Sequence, residues 1–136
     1  MKNICKDCGK CCIETEMLLS NNDIALIKKN NPKHLKIANF VQKTEEGFNQ
    51  LINVNGYCVF FDSVANLCTI YDVRPQGCRF YPLIYDSDKG YCTLDQDCPR
   101  PEVFYPNKNY QMKTCKKIVR FLENQVLFTK LRLLLL

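Results

Sequence analysis

The spacing of apolar and polar positions predicts a helix close to the start of the chain. Ser20 is followed three residues later by Asp23, ahead of apolar positions at helical spacing, which is the pattern of a capping box. We therefore predict a helix over about residues 21–30. Pro32 interrupts the pattern and is well placed in the first turn of a second helix that carries Leu35 and Ile37.

The middle of the chain reads as strands joined by turns. Residues 39–57 mix polar and β-prone positions and predict one or two strands, with Asn55 and Gly56 as a turn. Residues 58–71, CVFFDSVANLCTIY, predict a hairpin whose turn is DSVAN.

Prolines divide the second half of the chain. Pro75 suits the first turn of a short helix, and Pro82 is placed to stop it. Residues 90–94 predict a short strand, whereas three prolines predict loop or extended chain over residues 97–107. Apolar positions at helical spacing then predict a final amphipathic helix over about residues 110–134.

Length and composition suit one small domain. The chain has 136 residues, of which 46% are hydrophobic, and this length allows a single core of moderate size. The elements predict an α+β fold that is loop-rich and organised around a cysteine metal site. We expect one domain over residues 1–136, with the metal core at about 1–100 and the C-terminal helix after it.

Ten cysteines are the feature that most narrows the chemistry. The opening residues, MKNICKDCGKCC, lack the apolar stretch of a secretory signal, and Lys130 and Arg132 interrupt the apolar run at the other end. A bilayer span needs about 20 apolar residues. We therefore expect a cytoplasmic protein with no membrane span, where clustered cysteines bind metal more often than they form disulfides.

The net charge of +5 is weak evidence for an anionic partner, because it counts every cysteine as neutral. Metal binding deprotonates thiols. Four thiolates on one divalent ion, or on one cubane cluster, leave about −2 at the site. Two such sites would bring the net charge of the protein close to zero, so we expect no nucleic-acid partner.

The stretch CKDCGKCC is the clearest candidate for metal binding. Cys5, Cys8 and Gly9 form a CxxCG pattern, in which two thiolates converge on one ion and the glycine lets the chain turn away. Cys5, Cys8 and Cys11 also repeat the start of a bacterial ferredoxin run. The adjacent Cys11 and Cys12 point in divergent directions, which favours two metals, or one ligand beside a buried or reactive thiol.

Three further cysteines, Cys58, Cys68 and Cys78, recur at intervals of ten and are placed to converge beside this cluster. The spacing itself carries no ligand meaning. A disulfide framework would explain neither CxxCG nor the adjacent pair, and a redox CxxC would need a βαβ pattern that the sequence lacks. We interpret Cys115, on the apolar face of the final helix, as an ordinary buried thiol.

Two motifs together, CxxCGxCC at residues 5–12 and CVFFDSVANLCTIYDVRPQGCRFYPL at residues 58–83, resemble the CxxCxxCC (YkgJ-type) cysteine-cluster family of zinc- or iron-chelating proteins. The family's motif also occurs in flagellin lysine N-methylases. The resemblance implies a metal-binding set of seven residues: Cys5, Cys8, Cys11, Cys12, Cys58, Cys68 and Cys78. Cys92, Cys98 and Cys115 are less regular additions, and no catalytic residue is implied.

Three functions follow from this resemblance and from the residues. The first is an iron–sulfur protein (4Fe-4S, with zinc as the other metal) whose cluster organises the fold and serves electron transfer or a partner enzyme. The second is a lysine methyltransferase-like activity that uses S-adenosylmethionine, although the five isolated glycines form no cofactor loop. The third is a structural zinc module that binds a protein partner, or itself, through the leucine-rich C-terminal helix.

Two arginines flank Cys78 in the second motif. Arg74 and Arg79 are placed to neutralise cluster sulfurs or to hold an anionic substrate. The alternative is that Arg74 pairs with Asp72 or Asp62 and braces the turn.

Overall fold

The first helix, α1 (Asn21–Asn30), lies where the capping pattern predicts it. The computed structural model describes residues 12–13, 15–31, 33–86 and 88–127. Ser20 Oγ accepts a hydrogen bond from the backbone N–H of Asp23 at 3.1 Å, and Asp23 Oδ2 accepts one from the N–H of Ser20 at 3.0 Å. The reciprocal pair satisfies N–H groups that the first turn of a helix leaves without partners.

Asn31 ends α1 and prevents the second helix that we expected. Its Oδ1 accepts a hydrogen bond from the N–H of Leu35 at 2.7 Å, and its Nδ2 donates to carbonyls in the last turn of α1. His34 adopts a positive φ of 53°, which a right-handed helix does not admit. The expected helix is therefore wrong: a 3-10 turn forms at Ile37–Asn39, and Pro32 itself lies outside the described residues.

The described strands pair as four consecutive antiparallel hairpins. They are β1 (Val41–Lys43) with β2 (Asn49–Leu51), β3 (Asn53–Val54) with β4 (Tyr57–Cys58), β5 (Phe61–Asp62) with β6 (Leu67–Cys68), and β7 (Leu83–Asp86) with β8 (Tyr91–Leu94). Residues 39–57 thus contain more strands than the one or two we predicted, because a turn at residues 44–47 divides them. Strand β7 was not predicted.

The two predicted turns are both present. Asn55 and Gly56 take positive φ values of 54° and 85° between β3 and β4, as the tight turn of a two-residue hairpin requires. In the β5–β6 hairpin, Asp62 Oδ1 accepts hydrogen bonds from the N–H groups of Val64 and Ala65 at 3.0 and 3.1 Å. The carboxylate thereby closes the turn.

Prolines begin and end the short helix α2 (Gln76–Phe80) as predicted, with Pro75 as its N-cap residue and a cis peptide bond before Pro82. The prediction of loop over residues 97–107 is wrong in part, because Pro101 begins the helix α3 (Pro101–Phe104). Proline is favoured there, since the first helical N–H needs no partner within the helix.

The final helix, α4 (Lys108–Phe121), continues as a π-helical segment at Leu122–Leu127. Asn107 Oδ1 accepts a hydrogen bond from the N–H of Tyr110 at 2.8 Å and caps its start. The remainder of the helix predicted over about 110–134 lies outside the described residues. No helix in the described part of the chain is long and apolar enough to cross a membrane.

Buried side chains form two cores. The first core consists of Cys12, Leu19, Ile27, Phe40, Leu51, Cys58, Phe60 and Ile70. The second core consists of Phe80, Leu83, Tyr105, Ile118, Phe121 and Val126. The short helices, hairpins and C-terminal helix make a small α+β fold, which confirms the predicted class. The single-domain boundary at 1–136 stays a prediction.

Helix α2 contacts both cores. Met17, which packs on the first core, has its Sδ where a Cβ on Gly77 would stand, so the glycine permits this close approach. Three residues later, the rings of Phe80 and Phe121 meet edge to face in the second core, with centroids 6.1 Å apart. The helix that carries Cys78 is therefore held from both sides.

Candidate metal centre

A backbone bridge brings the last cysteine of the N-terminal motif beside the second motif. Ile13 pairs with Tyr57 in an isolated antiparallel bridge, so Cys12, which precedes Ile13, and Cys58, which follows Tyr57, lie toward the same side of the bridge. Each cysteine is 6% exposed and belongs to the first core. Two of the seven predicted ligand residues, 46 positions apart in the chain, thus lie beside this bridge and away from water.

Cys68 joins the same region from the β5–β6 hairpin. It pairs with Phe61 across the hairpin and packs, partly buried, against the first core. The N–H of Thr69 donates to the carbonyl of Phe60 at 2.8 Å and extends this pairing. The hairpin therefore brings a third predicted ligand residue to the core that contains Cys12 and Cys58.

Cys78 lies in the middle of α2 and is partly buried. The start of α2 is fixed by a hydrogen bond of 3.0 Å from the N–H of Gln76 to Asp23 Oδ1. The contact of Gly77 with Met17 holds the helix against the segment that follows Cys12. These contacts position Cys78 relative to the first core.

Cys5, Cys8 and Cys11 lie outside the described residues. Across the described ranges, no three histidine, cysteine or acidic side chains are grouped closely enough to hold a metal ion. The donors that the first core does contain are sulfur atoms, which suit zinc and iron–sulfur clusters better than magnesium or calcium. This donor chemistry fits the metals that the sequence predicted.

The interpretation of Cys115 as an ordinary buried thiol is wrong. Cys115 on α4 forms a disulfide with Cys92 on β8, with the two Cα atoms 5.8 Å apart. Both residues pack against the second core. Nothing in their separation of 23 residues predicted the pairing. Because disulfides are uncommon in reducing compartments, the bond does not support the expected cytoplasmic location, which stays a prediction.

Arg74 braces its turn through a carbonyl rather than through a carboxylate. Its Nη1 donates to the carbonyl of Tyr71 at 2.9 Å, and its guanidinium lies 4.0 Å from the centre of the Tyr71 ring. Arg79 Nε donates to the carbonyl of Arg74 at 3.2 Å. Asp62 instead closes the β5–β6 turn, so the pairing of Arg74 with an aspartate is not observed within the described residues.

These features define a small cysteine-rich fold in which Cys12, the last residue of the N-terminal motif, lies in the same core as cysteines of the second motif. The chain matches, over residues 4–99, the family CxxCxxCC, described as "Putative zinc- or iron-chelating domain". The match covers most of the chain, and the protein belongs to this family. The family's description supports a metal cofactor, either zinc or iron.

An uncharacterized protein of Methanocaldococcus jannaschii is 31% identical over 99 residues, which is 68% of this chain and 51% of the relative. The chain thus spans about half the length of the curated relative it matches. No solved structure matches the chain.

Proposed function

We propose that the protein binds an iron–sulfur cluster through cysteines of both motifs, and that the cluster organises the fold and serves electron transfer or a partner enzyme. The observation that supports the proposal is that Cys12 and Cys58, both buried in the first core, adjoin the bridge between Ile13 and Tyr57. The bridge therefore brings one cysteine of each motif to the same core.

The proposed ligands come from the seven cysteines of the family motifs: Cys5, Cys8, Cys11, Cys12, Cys58, Cys68 and Cys78. A cubane cluster takes four thiolates, as does a structural zinc ion. Seven candidates exceed one such site, which leaves thiols for a second metal or for roles outside the site. The CxxCxxC run at residues 5–11 favours a cluster over zinc, because bacterial ferredoxins use this spacing.

The surroundings of these cysteines also suit a cluster. Phe40 and Phe60 are fully buried in the first core, with ring centroids 5.4 Å apart, beside Leu51. Apolar surroundings limit the access of water, and burial is one of the factors that set a cluster's reduction potential. A reducing cytoplasm, which we include in the proposal, would keep the ligand cysteines as thiols.

Anaerobic purification followed by metal analysis and an optical spectrum tests the proposal. We expect stoichiometric iron and acid-labile sulfide, with visible charge-transfer absorption that decreases when the cluster is reduced. A colourless protein that contains zinc alone would contradict the cluster and would support a thiolate zinc site in its place.

The ligand assignment is tested by comparing Cys58→Ser with the double variant Cys92→Ser/Cys115→Ser. Serine at position 58 should lower the metal content severalfold, because it removes a proposed thiolate. The double variant should lose stability but keep its metal, because its two cysteines are joined in a disulfide. It therefore separates loss of a ligand from general destabilisation. Equal metal loss in both variants would contradict the assignment.

A further inference from the structure

A cavity of about 510 Å³ lies between the first turn of α1, the helix α2 and the end of α4. Four cationic side chains line it. Arg74 and Arg79 come from the second motif, and Lys117 and Arg120 come from the C-terminal helix. We call this space the basic cavity. Its positive side chains belong to two segments that are distant in the chain, and the fold brings these segments together.

The negative charge in the cavity wall comes from a single described carboxylate, that of Asp23. Both of its oxygens accept backbone hydrogen bonds, Oδ2 from Ser20 and Oδ1 from Gln76. Four positive side chains therefore face one negative side chain that is engaged with the backbone. The lining has an excess of three positive charges.

The cations of the basic cavity are not neutralised by ion pairs within the described part of the chain. Lys117 and Arg120 are three residues apart on one face of α4, where like charges repel each other. In addition, Arg74 Nε is buried and has no hydrogen-bond partner among the described residues. A buried donor without a partner costs stability unless another group accepts its hydrogen.

The rest of the lining combines neutral donors with apolar surface. Asn124 and Gln125 offer side-chain amides near the cations, while Leu26, Phe80 and Phe121 contribute apolar atoms. The volume lies within the range of about 300–1,000 Å³ that is usual for sites of small molecules. Such a lining can hold the charged groups of a ligand and cover part of its carbon skeleton.

We propose that the basic cavity binds a small organic polyanion that carries two or more phosphate or carboxylate groups. Guanidinium groups suit both, because they pair with phosphate and carboxylate through two parallel hydrogen bonds. A single negative charge would leave the excess of three positive charges largely uncompensated, which is why the proposal specifies a polyanion. The cavity lining contains none of the seven proposed cysteine ligands, although Arg79 is adjacent to Cys78 in the chain, and the proposal does not rest on the identity of the metal.

Calorimetric titration of the purified full chain at physiological ionic strength tests this proposal. Pyrophosphate and tricarballylate are the two probes, one for phosphate and one for carboxylate chemistry. Metal content is measured before and after each titration, which distinguishes binding from removal of metal by the probe. Saturable binding of either probe supports the proposal and identifies the preferred anionic group. Absence of binding of both at millimolar concentration would overturn it.

A matched pair of variants locates the binding. Lys117→Gln/Arg120→Gln removes two charges from the cavity wall, whereas Lys113→Gln/Lys116→Gln removes two charges of the same spacing and exposure elsewhere on α4. We expect the first variant to weaken binding at least about tenfold, since charge-assisted hydrogen bonds are lost. The second should change it less than about twofold, because Lys113 and Lys116 do not line the cavity and contribute only salt-screened attraction at a distance. Equal weakening in both variants would overturn the proposal, because it would indicate diffuse attraction to the helix surface.

Discussion

The carboxylate of Asp23 accepts a hydrogen bond of 3.0 Å from the backbone N–H of Gln76, 53 residues further along the chain. Its other oxygen accepts the N–H of Ser20 and so completes the capping box of α1. One side chain thereby fixes the start of α1 to the start of α2. Since α2 carries Cys78 and contributes to the basic cavity, this bond positions both candidate sites.

We predict that Asp23→Ala lowers the free energy of unfolding by about 2–3 kcal/mol, because it leaves the N–H groups of Ser20 and Gln76 without their acceptor. Ser20→Ala is the control, since it loses only the cap and should cost about 1 kcal/mol. Urea denaturation measures both. Equal effects would mean that the bond to Gln76 contributes nothing to stability.

Asn31 supports a second prediction. It is 5% exposed, accepts a hydrogen bond from the N–H of Leu35 at 2.7 Å and donates to the end of α1. Asn31→Ala should therefore cost about 2–3 kcal/mol, because buried backbone groups lose their partners. Its exposed neighbour Asn30, which bonds only to the carbonyl of Leu26, is the matched control. Asn30→Ala should cost no more than about 0.5 kcal/mol. Thermal melts of both variants would show the ranking, and a reversed order would contradict this role for Asn31.

The disulfide between Cys92 and Cys115 should stabilise the fold by about 3 kcal/mol, because it closes a loop across a separation of 23 residues. Reduction under anaerobic conditions should lower the melting temperature. Cys92→Ala/Cys115→Ala should melt at a similar temperature whether or not reductant is present. Mass spectrometry after alkylation of the unfolded protein identifies the bond directly. Recovery of both residues as alkylated thiols from the untreated protein would contradict the pairing.

We predict that the buried hydroxyl of Tyr105 makes the protein less stable at alkaline pH. Burial, with a smaller contribution from Tyr110, raises the pKa of the Tyr105 hydroxyl to about 12. The hydroxyl also donates a hydrogen bond to the carbonyl of Phe80. A tyrosine in the unfolded chain has a pKa of about 10. The contribution of the neutral phenol to the free energy of unfolding is therefore complete below about pH 10, and it is lost as the pH rises toward 12.

The variant Tyr105→Phe should be less stable than the native chain by about 1 kcal/mol at neutral pH, because it loses that hydrogen bond. It should also lack the part of the alkaline decline that Tyr105 causes. Tyr91→Phe is the control, since Tyr91 is 53% exposed. Urea unfolding at a series of pH values measures these effects. A decline of equal size in Tyr105→Phe would assign the alkaline sensitivity to other groups.

Local interactions were the part of this fold that the sequence predicted well. The capping box of α1, the turn at Asn55 and Gly56 and the limits of α2 between two prolines each depend on residues a few positions apart. In each case the residues whose side chains or backbone conformation decide the structure belong to the local sequence pattern itself. The predictions made from local pattern were wrong after Pro32 and, in part, over residues 97–107. A proline can begin a helix or lie in a loop, so its presence alone does not decide between the two structures.

Cysteine motifs in the sequence were sufficient to predict the family and its metal chemistry, because the ligand types and their spacing are local features. Only the tertiary structure decided that Cys12 and Cys58 share a core, that Cys92 pairs with Cys115, and that Lys117 shares a cavity with arginines of the second motif. Each of these relationships joins distant segments. Their geometry depends on how the two cores pack around α2, which no spacing in the sequence records.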